Sequence, residues 1–236
     1  MSNKFKHRSR SSELLDAPNI PKDLIFENLH ELDFINRALC GHAISLNGIK
    51  KLVTERDKIY RIVDLGCGSG DFMQVVADWA NTKGFQVRFT GVDKNPDVID
   101  YLNDHCKDYP EITGVVSDYH DFLETGTPID IIHCALFCHH LNDEELTELF
   151  GDFKVYVKIG FVINDLHRHW LAYYGVKVIT FLLRGSDLSK NDGPISVLRA
   201  FKKKELANLL RIAQITNYSI HWKWAFRYLV VGIHKD

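Results

Sequence analysis

Two periods organise the apolar positions of this chain. Short runs rich in β-branched and aromatic residues recur at 61–65, 86–93, 114–119, 129–137, 156–163, 218–224 and 226–233, lengths that suit strands. Between them the spacing changes to three and four. Leu24, Phe26, Leu29, Leu32 and Ile35 follow one another on a helical face that starts at Asp23, and a second helical piece runs from Ile44 to Val53. A third, 72–80, follows the first strand run without a break. Strands alternating with helices predict an α/β fold with a largely parallel sheet. The run from Ile129 to Phe137 is apolar enough for burial on both faces. The pair at 218–224 and 226–233 predicts a closing strand pair, and Asn142-Asp143-Glu144-Glu145 supplies a helix cap and acidic first turn.

The ends of the pattern differ from its middle. Residues 1–12 are basic, polar and aperiodic, which predicts a disordered, solvated arm. Pro18 and Pro21 mark the entry to the first helix of a helical cap over 13–56. A strongly apolar stretch, 171–183, containing Tyr173, Tyr174, Val176, Val178, Ile179, Phe181 and Leu182, sits within an insertion expected at 166–195. A lid, a core helix and a dimer face would all read alike here. The segment from Gly185 to Pro194 is turn-rich and reads as a linker.

Composition narrows the class. At 236 residues, 45% apolar and 25% charged, the chain suits one α/β domain with a small cap. A net charge of −2 offers no bulk electrostatic case for nucleic acid. The five cysteines show no C-x-x-C spacing and no secretory signal is evident, so reduced thiols in a cytoplasmic protein are expected. No apolar run is long enough to span a membrane.

Candidate chemistry concentrates where strand runs end. The first closes on Asp64-Leu65-Gly66-Cys67-Gly68-Ser69-Gly70-Asp71 and passes straight into helix. Glycines there let the backbone turn tightly and approach a nucleotide-type ligand. The spacing is G-x-G-x-G rather than the dinucleotide G-x-G-x-x-G, and Asp71 stands where a pyrophosphate would meet a carboxylate. Asp64 at the strand end is placed to hold a cationic group. Asp93 ends the second run about 20 residues beyond the glycine turn, the distance expected of a ribose-binding acid; a helix N-cap acid is the plainer alternative.

The stretch Val63-Asp64-Leu65-Gly66-Cys67-Gly68-Ser69-Gly70-Asp71 resembles the first motif of class I S-adenosylmethionine-dependent methyltransferases, and Asp93-Lys94-Asn95-Pro96 matches the second. The resemblance covers about 58–165 by motif. It implies a seven-stranded Rossmann-like sheet with helices on both faces, an antiparallel last strand and an N-terminal helical cap, the methyltransferase domain occupying 57–236. It implies S-adenosylmethionine as cofactor, S-adenosylhomocysteine as product, and no metal. The donor site then comprises Asp64, Gly66, Gly68, Gly70, Asp71, Asp93, Lys94, Asp118, Tyr119 and Leu136, with Asp118 accepting from the adenine amine and Tyr119 packing on the ring.

The acceptor side is read from 136–140 and 164–184. His139 and His140 follow the fourth strand, where an imidazole can act as base on an acceptor hydroxyl; hydrogen bonding within the turn is the rival role. Adjacent histidines on an extended chain would point apart, which argues against joint chelation. Asn164, Asp165, His167, Arg168 and Tyr174 are candidate substrate contacts, although Asp165 reads equally as a helix cap. A looser resemblance of 164–177 and 191–201 to phenolic and polyketide-type small-molecule methyltransferases points to O-methylation of a small aromatic or amphipathic hydroxyl compound. The alternatives are an RNA or protein methyltransferase and a non-catalytic binding module.

Overall fold

The structure is a computed structural model describing residues 3–17 and 19–234. Pro18, read as part of the entry to the first helix, lies outside the described residues, as do positions 1–2 of the expected arm and the last two residues of the expected domain. Seven strands form one sheet: β1 (Ile59–Leu65), β2 (Gln86–Asp93), β3 (Ile112–Val116), β4 (Ile129–Ala135), β5 (Val157–Leu166), β6 (Tyr218–Lys223) and β7 (Arg227–Ile233). Their order is β3-β2-β1-β4-β5-β7-β6. The first five run parallel, and β7 lies antiparallel between β5 and β6. The chain reverses its winding direction between β1 and β4, so a crevice opens at their carboxyl ends, where open α/β sheets take their ligands.

Nine α-helices are described: α1 (Lys22–Ala38), α2 (Gly41–Ile49), α3 (Asp71–Lys83), α4 (Pro96–His105), α5 (Tyr119–Glu124), α6 (Asp143–Tyr156), α7 (Trp170–Leu182), α8 (Asp187–Arg199) and α9 (Lys203–Ile212). Successive strand residues serve opposite layers, as the period of two demands. Val63, Ile132, Phe161, Ile163 and Val230 pack with Leu149, Phe150 and Phe153 of α6 and Leu206 and Leu210 of α9. Ile62, Ile131, Val162 and Val231 pack on the other side with Ile44 and Ile49 of α2 and Met73 and Val76 of α3. That two-sided demand explains why β1, β4 and β5 read as nearly unbroken apolar runs.

Three local expectations are corrected. The second helix stops at Ile49, and Leu52 and Val53 continue only as a buried turn into β1. The turn-rich 185–194 is helical from Asp187 onward, within α8: Ser186 caps it through the Ser189 amide, and Gly193 lets Val176 of α7 approach closely. The expected disordered arm is packed over its described part. Arg8 donates to the carbonyls of Leu141 (2.7 Å) and Arg199 (2.8 Å), pairs with Asp143 (2.6 Å) and lies over the Phe201 ring, while the Ser9 amide donates to Leu198. Basic composition misled here because the arginine's partners are mostly backbone carbonyls.

The helix α7 rests on α8 and leaves Trp170, Tyr174, Val178, Phe181 and Leu182 exposed. Among the described residues no helix is long and apolar enough to cross a membrane.

Phe153 of α6 is fully buried against β5, its ring tilted on Phe161 with centroids 5.0 Å apart. Phe153→Ala is expected to cost about 3–5 kcal/mol, read as a lowered midpoint in urea unfolding.

Candidate active site

The loop after β1 is left-handed at Gly66, Gly68 and Gly70, a conformation that costs other residues. At two of them there is no room either. A Cβ on Gly66 would stand 2.5 Å from the Phe137 ring, and one on Gly70 would stand 2.6 Å from Cys106 Sγ. The Gly66 amide donates to Val92 (2.9 Å), pinning the loop to the end of β2. Leu136, after β4, is also left-handed and donates to Asn164, which turns Phe137 over the glycine loop. Tyr119 meets Phe137 edge-on at 5.7 Å, and burial with nearby acids pushes its hydroxyl up to about 12. A half-open aromatic wall therefore faces the glycine turn.

The strand-end acids divide into two groups. Asp93 and Asp118 stay at the cleft. Asp93 is partly exposed, accepts from the Asn95 amide (2.9 Å), and burial raises its pKa; Lys94 beside it is exposed. Asp118 is exposed and caps α5 through the His120 amide (2.9 Å). Asp64 and Asp71, expected to face the ligand, are instead buried with internal partners. Asp64 stands opposite His133 across the β1–β4 ladder and meets its Nδ1 at 2.6 Å. His133 Nε2 meets Ser45 of α2 at 2.8 Å, and Phe72 stacks on the imidazole. Asp71 accepts from Ser69, faces His105 Nε2 at 3.0 Å and Arg37 at 3.2 Å. Burial would raise Asp71, but these partners outweigh it and hold the carboxyl below its usual range. It fastens α1 and α4 to the start of α3.

The end of β5 splits in the same way. Asn164 faces α2, donating to Gly41 O (2.9 Å) and Ser45 Oγ (3.0 Å). Asp165 faces the opposite layer. Arg168 is fully buried, held by the Ala200 carbonyl, Glu205 (2.5 Å) and the carbonyls of Phe5 and Lys6 (3.3 Å). Three of the five expected substrate contacts are thus committed to internal partners. His167 is half-buried with an unpartnered Nδ1, and burial, then His169 and Arg168, lower its pKa to about 4. Tyr174 lies exposed on α7.

Cys138–His140 form a 3-10 turn, not an extended segment, so the two imidazoles lie side by side with centroids 4.3 Å apart. The expectation that they diverge is corrected. His139 is buried, its Nδ1 2.7 Å from Asp165 Oδ1 and its amide donating to Asp165 Oδ2. Coulombic attraction and hydrogen bonding from His139 outweigh burial and keep Asp165 low. The more accessible His140 places Nδ1 3.0 Å from Asp16 Oδ1. Between the two Nε2 atoms lies Glu13, at 3.7 Å from His139 and 3.8 Å from His140. Burial raises Glu13 to about 7 against the pull of His140 and Arg199.

The residues missed in sequence are Glu13, Asp16, Arg8 and Arg199. Arg199 donates to His139 O (3.1 Å), His140 O (2.6 Å) and Asp16 (2.8 Å), while Asp192 accepts from the Leu14 and Leu15 amides. Nothing periodic marks an extended strap, and its acids and basic partners lie more than a hundred positions apart.

Residues 62–160 match the family model described as a methyltransferase domain. Among curated proteins no sequence matches the chain significantly. Similar solved structures include the plantazolicin methyltransferase BpumL in complex with SAH, at a TM-score of 0.71 and 15% identity, covering 94% of this chain and 92% of that one. A SAM-dependent methyltransferase from Aquifex aeolicus gives 0.61 and 14%, covering 91% and 99%. Magnesium protoporphyrin IX methyltransferase (ChlM) from Synechocystis PCC 6803, with bound SAH, gives 0.52 and 13%, covering 93% and 90%.

Because the folded pKa of Asp71 is depressed, its stabilisation is complete above the unfolded carboxylate value and is lost as pH falls through the lower folded one. Asp71→Asn should cost roughly 1–3 kcal/mol at neutral pH, and the difference from wild type should shrink below about pH 4. Urea unfolding across pH checks this; a penalty independent of pH would refute the ionic role.

Proposed function

We propose that this chain, whose residues 62–160 match a methyltransferase domain and whose fold is shared with SAH-bound methyltransferases, is a class I S-adenosylmethionine-dependent methyltransferase that methylates a hydroxyl of a small aromatic or amphipathic compound. The observation that carries the acceptor reading is the Glu13–His139–His140 cluster. It stands at the carboxyl edge of the sheet, near enough for His140 to act electrostatically on Asp93. A buried carboxylate and two imidazoles, each imidazole backed by an acid, form a base in the right place for an acceptor proton.

The residues at the cleft fit the donor. Asp93 keeps a partly exposed carboxylate at a strand end just beyond the glycine turn, which suits ribose hydroxyls. The left-handed loop lets backbone approach the ligand, and Tyr119 and Phe137 offer ring faces. S-adenosylmethionine supplies an electrophilic methyl group on a cationic sulfur. The chain contributes alignment for in-line attack, exclusion of water, and a group to take the hydroxyl proton. His140, about a quarter exposed, is the cluster member an acceptor meets first.

Asp64 takes no direct part in this reading, because His133 occupies it on the α2 side of the sheet. Nor do Asn164, Asp165 and Arg168 touch the acceptor; they hold the turn and the strap that do. The exposed apolar face of α7 suits an amphipathic acceptor or a second copy of the chain. Five free thiols accord with a reducing, cytoplasmic setting. Against an RNA or protein acceptor stands the balanced charge, and the turn after β4 is Leu136-Phe137-Cys138-His139-His140 rather than an Asn/Asp-Pro-Pro-Tyr type.

Calorimetry should show S-adenosylhomocysteine binding that Asp93→Ala weakens about tenfold or more, about 1.4 kcal/mol at least; unchanged affinity would remove the ribose assignment. A labelled-methyl transfer screen against phenols, polyketide-type intermediates and RNA identifies the acceptor class, and label in RNA alone would overturn the small-molecule reading. With that acceptor, His140→Ala should lower kcat by about 10²–10⁴ while leaving S-adenosylhomocysteine affinity intact. A fully active variant would exclude the cluster from proton transfer.

A further inference from the structure

We propose that Glu13, His139 and His140 bind a divalent first-row transition metal, with zinc the best match to the ligand set. One ligand atom from each residue lies within 4.8 Å of the others. The Glu13 side chain is 5% exposed, and its Oε1 has no hydrogen-bond partner. A buried carboxylate oxygen left so is costly unless something positive meets it.

The outer partners say what that is. Asp165 and Asp16 stand within hydrogen-bond reach of Nδ1 of His139 and His140 respectively, which orients both rings with Nε2 toward Glu13. Carboxylates behind ligating imidazoles are the usual second layer of a zinc site; they orient the ring and raise its basicity. Both Nε2 atoms then converge on a carboxylate whose Oε1 has no hydrogen-bond partner. Arg199, the nearest cation, stands 3.9 Å from Glu13 Oε1 and gives its Nε–H to the His139 carbonyl.

The distances agree. The Nε2-to-carboxylate separations of 3.7 and 3.8 Å exceed a hydrogen bond. Metal–nitrogen and metal–oxygen bonds of about 2.0–2.2 Å place neighbouring ligand atoms roughly 3.0–3.5 Å apart, so ligand atoms that already lie within 4.8 Å of one another need draw together by only about an ångström. Two imidazoles and one carboxylate leave coordination positions open, and the ligand set suits zinc or iron(II) rather than magnesium or calcium. The inference departs from the expectation of no metal. An ion would turn both Nε2 atoms from proton acceptors into ligands, so the inference goes beyond the acceptor-side reading above and does not rest on it.

The test uses tag-free, full-length protein stripped with chelator and titrated with zinc chloride by calorimetry. Cobalt(II) titration is followed by visible absorption. The wild type should take up one equivalent of zinc and develop cobalt d–d bands. Glu13→Gln, nearly isosteric, should abolish the bands and weaken zinc at least about tenfold, and Asp16→Asn should weaken zinc by about 10–100-fold. Circular dichroism and S-adenosylhomocysteine calorimetry establish that each variant is folded with its donor site intact. His140→Ala provides a second ligand deletion should Glu13→Gln fold poorly. Absence of stoichiometric zinc binding by the wild type, or undiminished binding by folded Glu13→Gln or His140→Ala, would overturn the site. Since the readout is metal rather than turnover, a chain that methylates a hydroxyl without holding zinc refutes only the site. One that holds zinc without methylating refutes only the acceptor reading.

Discussion

The constraint on which the rest depends is the alternation of side chains at the carboxyl end of β5. Asn164 and Asp165 are neighbours, both buried, and must face opposite layers of the sheet. A buried amide or carboxylate without partners is expensive, so each layer has to supply them. On one side Asn164 joins Ser45, His133 and Asp64 in a polar track that seats α2 on the sheet. On the other, Asp165 takes both the amide and the imidazole of His139 and so sets the turn after β4. Shifting β5 by one residue would exchange the two faces and strip both sets of partners at once.

From that pair the cleft follows. The turn held by Asp165 presents two carbonyls, at His139 and His140, that Arg199 and Arg8 collect. Those arginines, with Asp192, fasten the segment from Arg8 to Asp16 across the turn, which brings Glu13 against both imidazoles. Four acids that look alike in sequence thus acquire different chemistry from their neighbours. Asp64 and Asp71 are structural ties, Asp93 is a partly exposed carboxylate with a raised pKa, and Glu13 is buried among acceptors. Position relative to a strand end did not separate these roles; the partner on the adjacent element did.

This explains what could be read in advance. The strands, their burial on two faces and the glycine turn were legible because each rests on a local signal: period two, β-branched enrichment, or a residue lacking Cβ. The bounds of β2 were expected as found, and β1, β4, β5 and β7 within a few residues. The strap was not legible, because its contacts join residues more than a hundred apart and are made largely with backbone carbonyls. Arg168 misled for a related reason. An arginine after a strand end reads as an anion-binding group, whereas here Glu205 and three carbonyls enclose it. The histidine pair misled through geometry, since a 3-10 turn advances about 120° per residue and sets adjacent rings together.

The same division accounts for the reach of the family likeness. The matched segment, 62–160, runs from within β1 to the start of β5 and contains the glycine loop, Asp93, Asp118 and both histidines, all built by one contiguous βα pattern. The groups that surround the histidines come from outside it: Glu13 and Asp16 from the strap, Asp165 from the end of β5, Asp192 and Arg199 from α8. Donor recognition needs a fixed nucleotide-shaped cleft, and a local motif can encode it. The surroundings of the histidine pair are assembled from both flanks of the chain over that motif, so their chemistry can change without disturbing the strands beneath. In this chain that assembly places two acid-backed imidazoles and a buried glutamate beside the cleft at the carboxyl edge of the sheet, an arrangement the motif neither requires nor foretells.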